Sequence, residues 1–355
     1  MHALIDQPRD VRERDTLDAA AVTAWLSGRV PGVSGTPRVR QFRGGASNLT
    51  YLLEWGDLEL ILRRPPAGAK ASSAHDMGRE VRMLRALRPH YSGLPEVAAW
   101  CEDPTVAGGE FYVMERMRGI ILRSDLPAEL GFDARQTRRL CESVLDKLIE
   151  LHNLDVEGCG LGHLGRGEGY VSRQVTGWSR RYRAAKTDGA ASFERVMAWL
   201  DANQRPDVGT RVIHGDFRFD NVVLDPADPM RVTGVLDWEM STLGDPLMDV
   251  GNSLAYWVEA EDDLVLQMMR RQPTNAPGML TRAEVWDRIG RGTGLDVSEP
   301  DFYEVYGLFR LAVILQQIWF REVAATTKNP AFAAFGDLAI YIETRCHAVL
   351  DRRGD

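Results

Sequence analysis

The chain has 355 residues, of which 44% are hydrophobic and 26% charged, values typical of a globular enzyme with one large domain or two ordinary ones. Its 51 acidic and 43 basic residues give a formal net charge of -8, whereas a protein that binds nucleic acid should carry a basic excess. No apolar run approaches the ~20 residues of a membrane span. We therefore expect neither a nucleic-acid partner nor a membrane partner.

The N-terminus and the cysteines indicate the expected compartment. The first ten residues lack the basic start and the apolar core of a secretory signal. The four cysteines, Cys101, Cys141, Cys159 and Cys346, are scattered and include no closely spaced pair. A disulfide framework or a zinc site is therefore not expected, and a reducing cytoplasm is the expected location.

The N-terminal part of the sequence mixes strand patterns with helix patterns. The dipeptide Gly56-Asp57 stands between two apolar runs and predicts a tight hairpin. A charged arm occupies the first fourteen residues. The predicted strands cover residues 39–42, 49–55, 58–63 and 111–117, and the predicted helices cover residues 16–27 and 79–87.

The remainder of the sequence, from residue 133 onward, is predicted to be almost wholly helical, because apolar residues recur at spacings of three and four. Two short strands, at 221–224 and 232–236, interrupt this pattern. The Asp- and Pro-rich residues 225–229 between them predict a turn. Strands with one inserted helix, followed by helices, predict an α+β fold.

The most informative segment runs from His214 to Asn221 and reads His-Gly-Asp-Phe-Arg-Phe-Asp-Asn. It places Asp216 and Asn221 five residues apart, and Asp237 follows Asp216 by 21 residues, just after the second short strand. Phosphoryl transfer needs one carboxylate that accepts the proton of the attacking hydroxyl, and further oxygen ligands that hold magnesium. We predict that Asp216 is the catalytic base and that Asn221 and Asp237 are the magnesium ligands.

Each of these residues has an ordinary alternative. A lone Asp in a loop is most often a helix cap or a turn residue, and a lone Asn is most often a turn amide. The spacing of all three, with strands between them, favours the chemical role. A metal hydrolase that uses His214 and Asp216 lacks further His ligands at a usable spacing, and we favour a bracing role for His214. Glu239 either reaches the metal shell or a substrate group, or is a surface carboxylate.

The segment around Asp216 resembles the catalytic loop of aminoglycoside phosphotransferases and choline kinases, with Gly215 where protein kinases have Arg. A subgroup is indicated by Phe42-Arg-Gly-Gly-Ala-Ser-Asn-Leu-Thr-Tyr, Leu62-Arg-Arg-Pro-Pro, Phe111-Tyr-Val-Met-Glu and Val235-Leu-Asp-Trp-Glu-Met-Ser-Thr-Leu-Gly-Asp-Pro. These segments resemble the phosphotransferase-like domain that is fused to, or encoded near, acyl-CoA dehydrogenases.

This resemblance implies a protein-kinase-like bilobal fold. The N-terminal lobe, with a small antiparallel β-sheet, would cover residues 1–117, and a mainly helical C-terminal lobe would cover residues 118–355. A hinge would lie near residues 114–119. The resemblance also implies ATP and magnesium as cofactors and a small-molecule hydroxyl acceptor, with hydroxyacyl-CoA compounds as the suggested class. Nothing in the sequence indicates an oligomeric state.

The nucleotide should be bound by the N-terminal part. Small residues between the first two strands let backbone N–H groups approach phosphate oxygens. The residues of this loop are Gly44, Gly45, Ser47 and Asn48. Arg63 stands where kinases carry Lys, and Glu80 on the next helix is its expected partner, although an ordinary solvated face would also explain Glu80.

The resemblance further implies that backbone groups of Glu115 and Met117 bind adenine. Asp249 occupies the place where related kinases hold the backbone amides of the catalytic loop, and Asp245 is expected to cap a helix. The alternative to a kinase is a catalytically inactive nucleotide-binding module, a pseudokinase, for which Arg63 is the only support in the sequence.

Two polar and aromatic clusters in the helical part either line an acceptor pocket or form an edge of the core. One consists of Tyr303, Tyr306, Arg310, Val313 and Gln317 at helical spacing, and the other of Trp178, Arg181 and Tyr182.

Overall fold

The computed structural model describes residues 4–42, 48–66, 76–325 and 329–353. Its strands are β1 Arg38–Gln41, β2 Leu49–Trp55, β3 Leu58–Arg64, β4 Val97–Cys101, β5 Phe111–Glu115, β6 Arg211–Ile213, β7 Val222–Leu224, β8 Val232–Val235 and β9 Thr242–Gly244. Its α-helices are α1 Ala19–Leu26, α2 Met77–Leu87, α3 Pro104–Ala107, α4 Ala134–His152, α5 Tyr170–Ala184, α6 Glu194–Ala202, α7 Pro246–Leu254, α8 Leu264–Met269, α9 Arg282–Thr293, α10 Asp301–Ala324 and α11 Phe335–Arg353.

Backbone contacts divide the chain into two compact units. The first consists of Met1–Val144 together with Phe219–Ser241, and the second of Leu145–Arg218 together with Thr242–Asp355. The first unit holds the five-stranded sheet, and the second is mainly helical, so the α+β prediction is confirmed. The lobe boundary near residue 117 stays a prediction, and the compact units do not follow it because the segment Phe219–Ser241 packs with the first unit.

The sheet of the first unit has the strand order β1-β2-β3-β5-β4 with antiparallel neighbours. Its β2–β3 hairpin turns at Gly56-Asp57, as the sequence predicts, and pairs Leu49 with Arg64 at its open end. In β3 the last five residues are all buried, so this strand lies inside the unit over most of its length. Side chains alternate between the two faces of a strand, so Arg63 lies on the face of β3 opposite to Leu60 and Leu62, and both faces are buried.

Helix α2 buries one face that is not purely apolar. The Asp76 side chain caps its N-terminus by accepting a hydrogen bond from the Arg79 backbone N–H. Val81, Leu84 and Glu80 all lie on the buried face, and Glu80 is only 1% exposed. A buried carboxylate requires a compensating cation or hydrogen-bond donors, so the fate of Glu80 depends on its neighbours in the functional site.

The β7–β8 hairpin fixes the segment that carries two predicted magnesium ligands. Ile120 and Leu224 exchange two backbone hydrogen bonds, each of 2.9 Å, which attach this hairpin to the chain after β5. At the other end, the backbone N–H of Leu236 donates to the carbonyl oxygen of Asn221 at 2.8 Å. The hairpin therefore brings the backbone of Asn221 beside the residue that precedes Asp237.

In the second unit, α10 is buried along most of its 24 residues. The N-terminus of α5 is held by Asp207, whose carboxylate accepts backbone N–H groups of Gly169, Tyr170 and Val171.

Within the described ranges, no helix combines the length and the apolar character that a membrane crossing requires.

Helices α7 and α10 touch backbone to backbone at a pair of glycines. A Cβ atom placed on Gly307 would lie 2.1 Å from the carbonyl oxygen of Gly251, and one placed on Gly251 would lie 2.3 Å from the carbonyl oxygen of Tyr303. Neither distance is sterically possible, and backbone atoms cannot swing aside. The spacing of these two helices therefore depends on the absence of side chains at Gly251 and Gly307.

We expect Gly307→Ala to destabilise the protein by about 1–3 kcal/mol, the usual cost of inserting a methyl group into a packed core. Ala is intrinsically better than Gly in a helix by about 1 kcal/mol, so a loss of stability would report the clash itself. Gly162→Ala is the matched control, because nothing lies within 4 Å of its Cβ position. Thermal unfolding of the two variants checks the prediction, and equal midpoints would contradict it.

Candidate functional site

A buried cation lies at the centre of the polar residues of the first unit. The Arg63 side chain is 8% exposed, and its Nη1 donates to Glu80 Oε1 at 2.5 Å. Its Nη2 donates to Asp237 Oδ1 at 2.9 Å and lies 3.4 Å from Glu239 Oε2. The expected pairing of Arg63 with Glu80 is therefore present, and the structure adds two carboxylates that follow β8.

The protonation of Arg63 is secured by these neighbours. Burial alone would lower the pKa of its guanidinium. The charge of Glu80, followed by Tyr112, Asp237 and Glu239, raises that pKa well above its usual value. Arg63 is thus a permanent positive charge with two separate nitrogen atoms directed at two carboxylates, an arrangement that the single nitrogen of Lys cannot reproduce.

Glu239 belongs to this cluster and is not a surface carboxylate, while its role at a metal ion or a substrate group stays a prediction. Its side chain is 16% exposed. Its Oε2 accepts a hydrogen bond of 2.7 Å from Nδ2 of Asn48, and its backbone oxygen accepts one from Arg79. Asn48, a predicted phosphate-loop residue, is 1% exposed and lies beside the Arg63 cluster. The other predicted residues of that loop, Gly44, Gly45 and Ser47, lie outside the described residues.

Asp237 has a strained backbone. With φ 67° and ψ 60° it adopts the left-handed conformation, which among the described non-glycine residues only Phe193 shares as a positive φ. Such conformations are held by surrounding structure and cluster at functional sites. Here the next residue, Trp238, is buried and donates from its indole Nε1 to the Val235 carbonyl at 2.8 Å. The Trp238 anchor directs the chain so that Asp237 reaches Arg63 while its carboxylate stays 28% exposed.

The residues at this position suit a magnesium ion. Asn221 and Asp237 offer one amide oxygen and one carboxylate, the hard ligands that magnesium prefers, and the rest of its shell usually comes from phosphates and water. Across the described part of the chain, no group of three or more His, Cys, Asp or Glu side chains is placed to hold a metal ion. The fit therefore rests on these two residues, whose backbones lie near each other because the Leu236 N–H donates to the Asn221 carbonyl oxygen.

The catalytic-loop segment of the second unit is held by Asp249, which is fully buried. Its Oδ2 accepts the backbone N–H of His214 at 2.9 Å, and its Oδ1 accepts that of Gly215 at 2.8 Å. The expectation that Asp249 holds loop amides is confirmed. Gly215 has φ 82°, a conformation that favours glycine, which is the physical reason for Gly at this position. The expected cap by Asp245 is also present, as its side chain accepts the Met248 backbone N–H.

Asp249 remains ionised although no water reaches it. Burial alone would raise the pKa of its carboxyl group. The hydrogen bond from His152, together with the charges of His152 and His214, holds that pKa below its usual range. The Nε2 atom of His152, at the end of α4, lies 3.1 Å from Asp249 Oδ2. No role was predicted for His152 from the sequence. The available indication was a polar residue that directly follows Leu148 and Leu151 in a helical pattern of apolar residues.

Asp216 follows this held segment directly. Its backbone N–H donates to His214 Nδ1 at 3.2 Å, so His214 braces the loop as expected. Its carboxylate lies 3.3 Å from Arg218 Nη2, and its side chain is 23% exposed. From α10, Arg310 Nη2 donates to the carbonyl oxygen of Gly215 at 2.8 Å. Sequence reasoning singled out Arg310 but not this contact.

The two predicted hinge residues differ in their surroundings. The backbone N–H of Glu115, the last residue of β5, donates to the Glu96 carbonyl at 2.8 Å and is therefore already used. Met117 follows the strand, and its thioether packs against Gly234 of β8. Adenine binding by the backbone of either residue stays a prediction.

Comparison with known proteins identifies the family. A family model for the phosphotransferase enzyme family, APH, matches residues 38–285. Mouse acyl-CoA dehydrogenase family member 10 is 32% identical over 341 residues, which cover 95% of this chain and 32% of that protein. Human acyl-CoA dehydrogenase family member 11 is 31% identical over 93% of this chain and 42% of its own length. The chain thus spans roughly a third to two fifths of these relatives.

Solved structures agree. A Ralstonia eutropha protein provisionally assigned as an aminoglycoside phosphotransferase is 28% identical with a TM-score of 0.77, covering 95% of this chain and 99% of that one. Choline kinase from Cryptosporidium parvum (12% identity, TM-score 0.63, 95% and 97% coverage) shares the fold. So does aminoglycoside phosphotransferase APH(4)-Ia in complex with AMP-PNP and hygromycin B (14%, 0.58, 94% and 98%).

These matches confirm the kinase-like fold and the subgroup that the sequence motifs indicated. They also give the activity class, a phosphotransferase. The chain belongs to the phosphotransferase enzyme family.

Proposed function

We propose that this chain transfers the γ-phosphate of ATP, in the presence of magnesium, to a hydroxyl group of a small molecule. The observation that carries the proposal is the loop at His214–Asp216, which Asp249 holds through two backbone N–H groups while the Asp216 carboxylate stays accessible. A related fold has been solved with AMP-PNP, an ATP analogue, which supports the choice of nucleotide.

In this proposal Asp216 is the general base. The acceptor hydroxyl oxygen forms a bond to the γ-phosphorus, and the bond from that phosphorus to the oxygen bridging it to the β-phosphate breaks, so ADP leaves. The hydroxyl proton passes to the Asp216 carboxylate as the attack proceeds. Arg218 Nη2 lies 3.3 Å from the same carboxylate.

Asn221 and Asp237 would hold magnesium, which when bound neutralises phosphate charge and orients the nucleotide. Arg63 would contact the phosphates while Glu80 fixes its orientation through the 2.5 Å hydrogen bond. The pseudokinase alternative has only Arg63 in its support. The presence of Asp216, Asn221 and Asp237 argues against it, because a module without chemistry has no need of all three.

The acceptor class follows from the relatives. They are named as acyl-CoA dehydrogenase family members, and this chain matches only part of their length. An alcohol that a neighbouring acyl-CoA enzyme would form or use, such as a hydroxyacyl-CoA, is therefore our proposed acceptor. The reducing cytoplasm remains the expected location.

Asp216→Asn should preserve the fold and nucleotide binding, because the new side chain is nearly isosteric, but it should lower turnover by ~10²-fold or more. Acceptor-dependent ADP release, with the product identified by mass spectrometry, measures this loss. Calorimetric titration with ATP provides the control for binding. Phosphorylation at a near-normal rate would remove Asp216 from the role of base.

Asp237→Ala should weaken nucleotide binding in magnesium by at least the ~10–100-fold that even outer-shell changes cost at metal sites. In EDTA the same substitution should have little effect, because the carboxylate acts through the cation. Asp228→Ala, an exposed carboxylate in the turn of the same hairpin, is the matched control. Equal weakening of binding in magnesium and in EDTA would indicate a structural role for Asp237.

Arg63→Lys should lower activity by about 10-fold or more, although it restores the residue common in kinases, because one nitrogen replaces two separate donors. Arg38→Lys, at an exposed position of β1 in the same sheet, is the matched control and should be nearly neutral.

A double-mutant cycle of Arg63→Ala and Glu80→Ala on turnover should show strong non-additivity, since the two side chains are in contact. Additive effects would reject the functional pair. Full activity of Arg63→Ala would exclude Arg63 from nucleotide binding.

A further inference from the structure

Two guanidinium groups of the second unit lie over the same indole ring. The Arg181 Cζ atom lies 4.2 Å and the Arg310 Cζ atom 5.3 Å from the ring centroid of Trp178. Arg181 and Trp178 are on α5, and Arg310 is on α10. Two like charges this close repel each other, so the arrangement is costly unless an anion offsets it.

Within the described ranges, no carboxylate is in direct contact with either guanidinium; the buried Asp249 carboxylate is engaged by His152 and by the backbone N–H groups of His214 and Gly215. Neither Arg181 nor Arg310 forms an ion pair with an Asp or Glu there. Arg310 is 5% exposed and donates to the Gly215 carbonyl, a neutral acceptor. The Arg181 guanidinium donates no hydrogen bond to those residues, and its Nη1 is out of reach of water. Burial, together with the positive charges of Arg180 and Arg310, lowers the pKa of Arg181 against the opposing effect of Tyr306.

The helix makes room for this uncompensated charge. Gly177 lies inside α5, where glycine is less favourable than alanine. A Cβ atom at Gly177 would lie 3.2 Å from Arg181 Nη1, so the guanidinium rests where a side chain would otherwise be. An unpaired Arg, accommodated at the expense of helix propensity, is not a stabilising device.

The location connects these charges to the catalytic loop. Through its 2.8 Å hydrogen bond to the Gly215 carbonyl, Arg310 touches the peptide unit that leads into Asp216. A molecule whose hydroxyl group approaches Asp216 would therefore bring its neighbouring groups toward Arg310 and Arg181. Guanidinium groups bind carboxylates and phosphates in a planar two-point geometry.

We propose that Arg181 and Arg310 bind an oxyanion of the acceptor, so that the substrate is an alcohol that also carries a carboxylate or a phosphate. This inference rests on the proposed kinase function and narrows its substrate class. A free hydroxy acid would supply the charge from its carboxylate, and a hydroxyacyl-CoA would supply it from the phosphates of CoA. Neutral alcohols and cationic amino alcohols would be poor acceptors.

The test separates binding from chemistry. The Asp216→Asn protein, which should bind without turnover, is titrated calorimetrically with straight-chain hydroxy acids of increasing length, their neutral amides, phosphate monoesters of the corresponding diols, and the CoA thioesters of the acids. We expect the best anionic ligand to bind ~10–100-fold more tightly than its neutral counterpart, the scale of a charge-assisted hydrogen bond. The class of ligand that binds best shows whether a carboxylate, a simple phosphate ester or the phosphates of CoA supply the anionic group.

Adding Arg181→Gln should remove this preference and leave binding of the neutral amide unchanged. Arg180→Gln, at the exposed neighbouring position of the same helix, is the matched control and should retain the preference. Equal affinity for anionic and neutral ligands, no binding of any anion in the set, or a preference that survives Arg181→Gln would overturn the proposal.

Turnover assays with protein that retains Asp216 distinguish this inference from the kinase proposal. If anions bind with the expected dependence on Arg181 but no phosphorylated product forms, the anion site stands and the kinase proposal fails. If acids and their amides are phosphorylated equally well, the kinase proposal stands and the anion site fails.

Discussion

The need to compensate one buried positive charge, the Arg63 guanidinium, organises the polar residues of the first compact unit. A cation with 8% exposure requires carboxylates close by. Glu80 is therefore tolerated on the buried face of α2, and Asp237 and Glu239 approach from the segment after β8. Two distant parts of the sequence, α2 and the segment after β8, are thus tied to one guanidinium, which explains why an acidic residue can be almost fully buried in this unit.

Much of the fold could be predicted from local patterns. β2 and β3 were recognisable because apolar residues flank a Gly-Asp turn, and α10 because its apolar spacing continues for many turns. The strand β4 was missed, since Val-Ala-Ala-Trp-Cys has little strand character and the strand lies at the sheet edge. The three-residue strands β6 and β9 are too short for any periodicity, and their pairing joins segments that are about 30 residues apart in the chain.

Contacts within the site could be predicted where a sequence motif indicates the partner of a residue. They could not be predicted where tertiary packing alone brings two residues together. Arg63 with Glu80, and Asp249 with the loop amides, followed from the resemblance to known kinases. The contact of Arg63 with Asp237 joins residues 174 positions apart, and that of Arg310 with Gly215 spans 95 positions. No local pattern encodes such distances. Glu239 stayed undecided for the same reason, because a carboxylate on a short turn has the same sequence pattern whether it is buried or exposed.

The glycine contact between α7 and α10 fixes the positions of the two side chains that hold the loop at His214–Asp216. Gly251 lies two residues after Asp249, and Gly307 lies about one helical turn before Arg310. The Asp249 carboxylate accepts the backbone N–H groups of His214 and Gly215, and the Arg310 guanidinium donates to the Gly215 carbonyl oxygen. Asp249 and Arg310 therefore bind the same short stretch of backbone. The backbones of α7 and α10 are in contact at Gly251 and Gly307, which restricts movement of Asp249 relative to Arg310. A displacement of ~1 Å can cost ~10²-fold in rate, so under the proposed function two glycines on neighbouring helices would limit how far the loop at Asp216 can move.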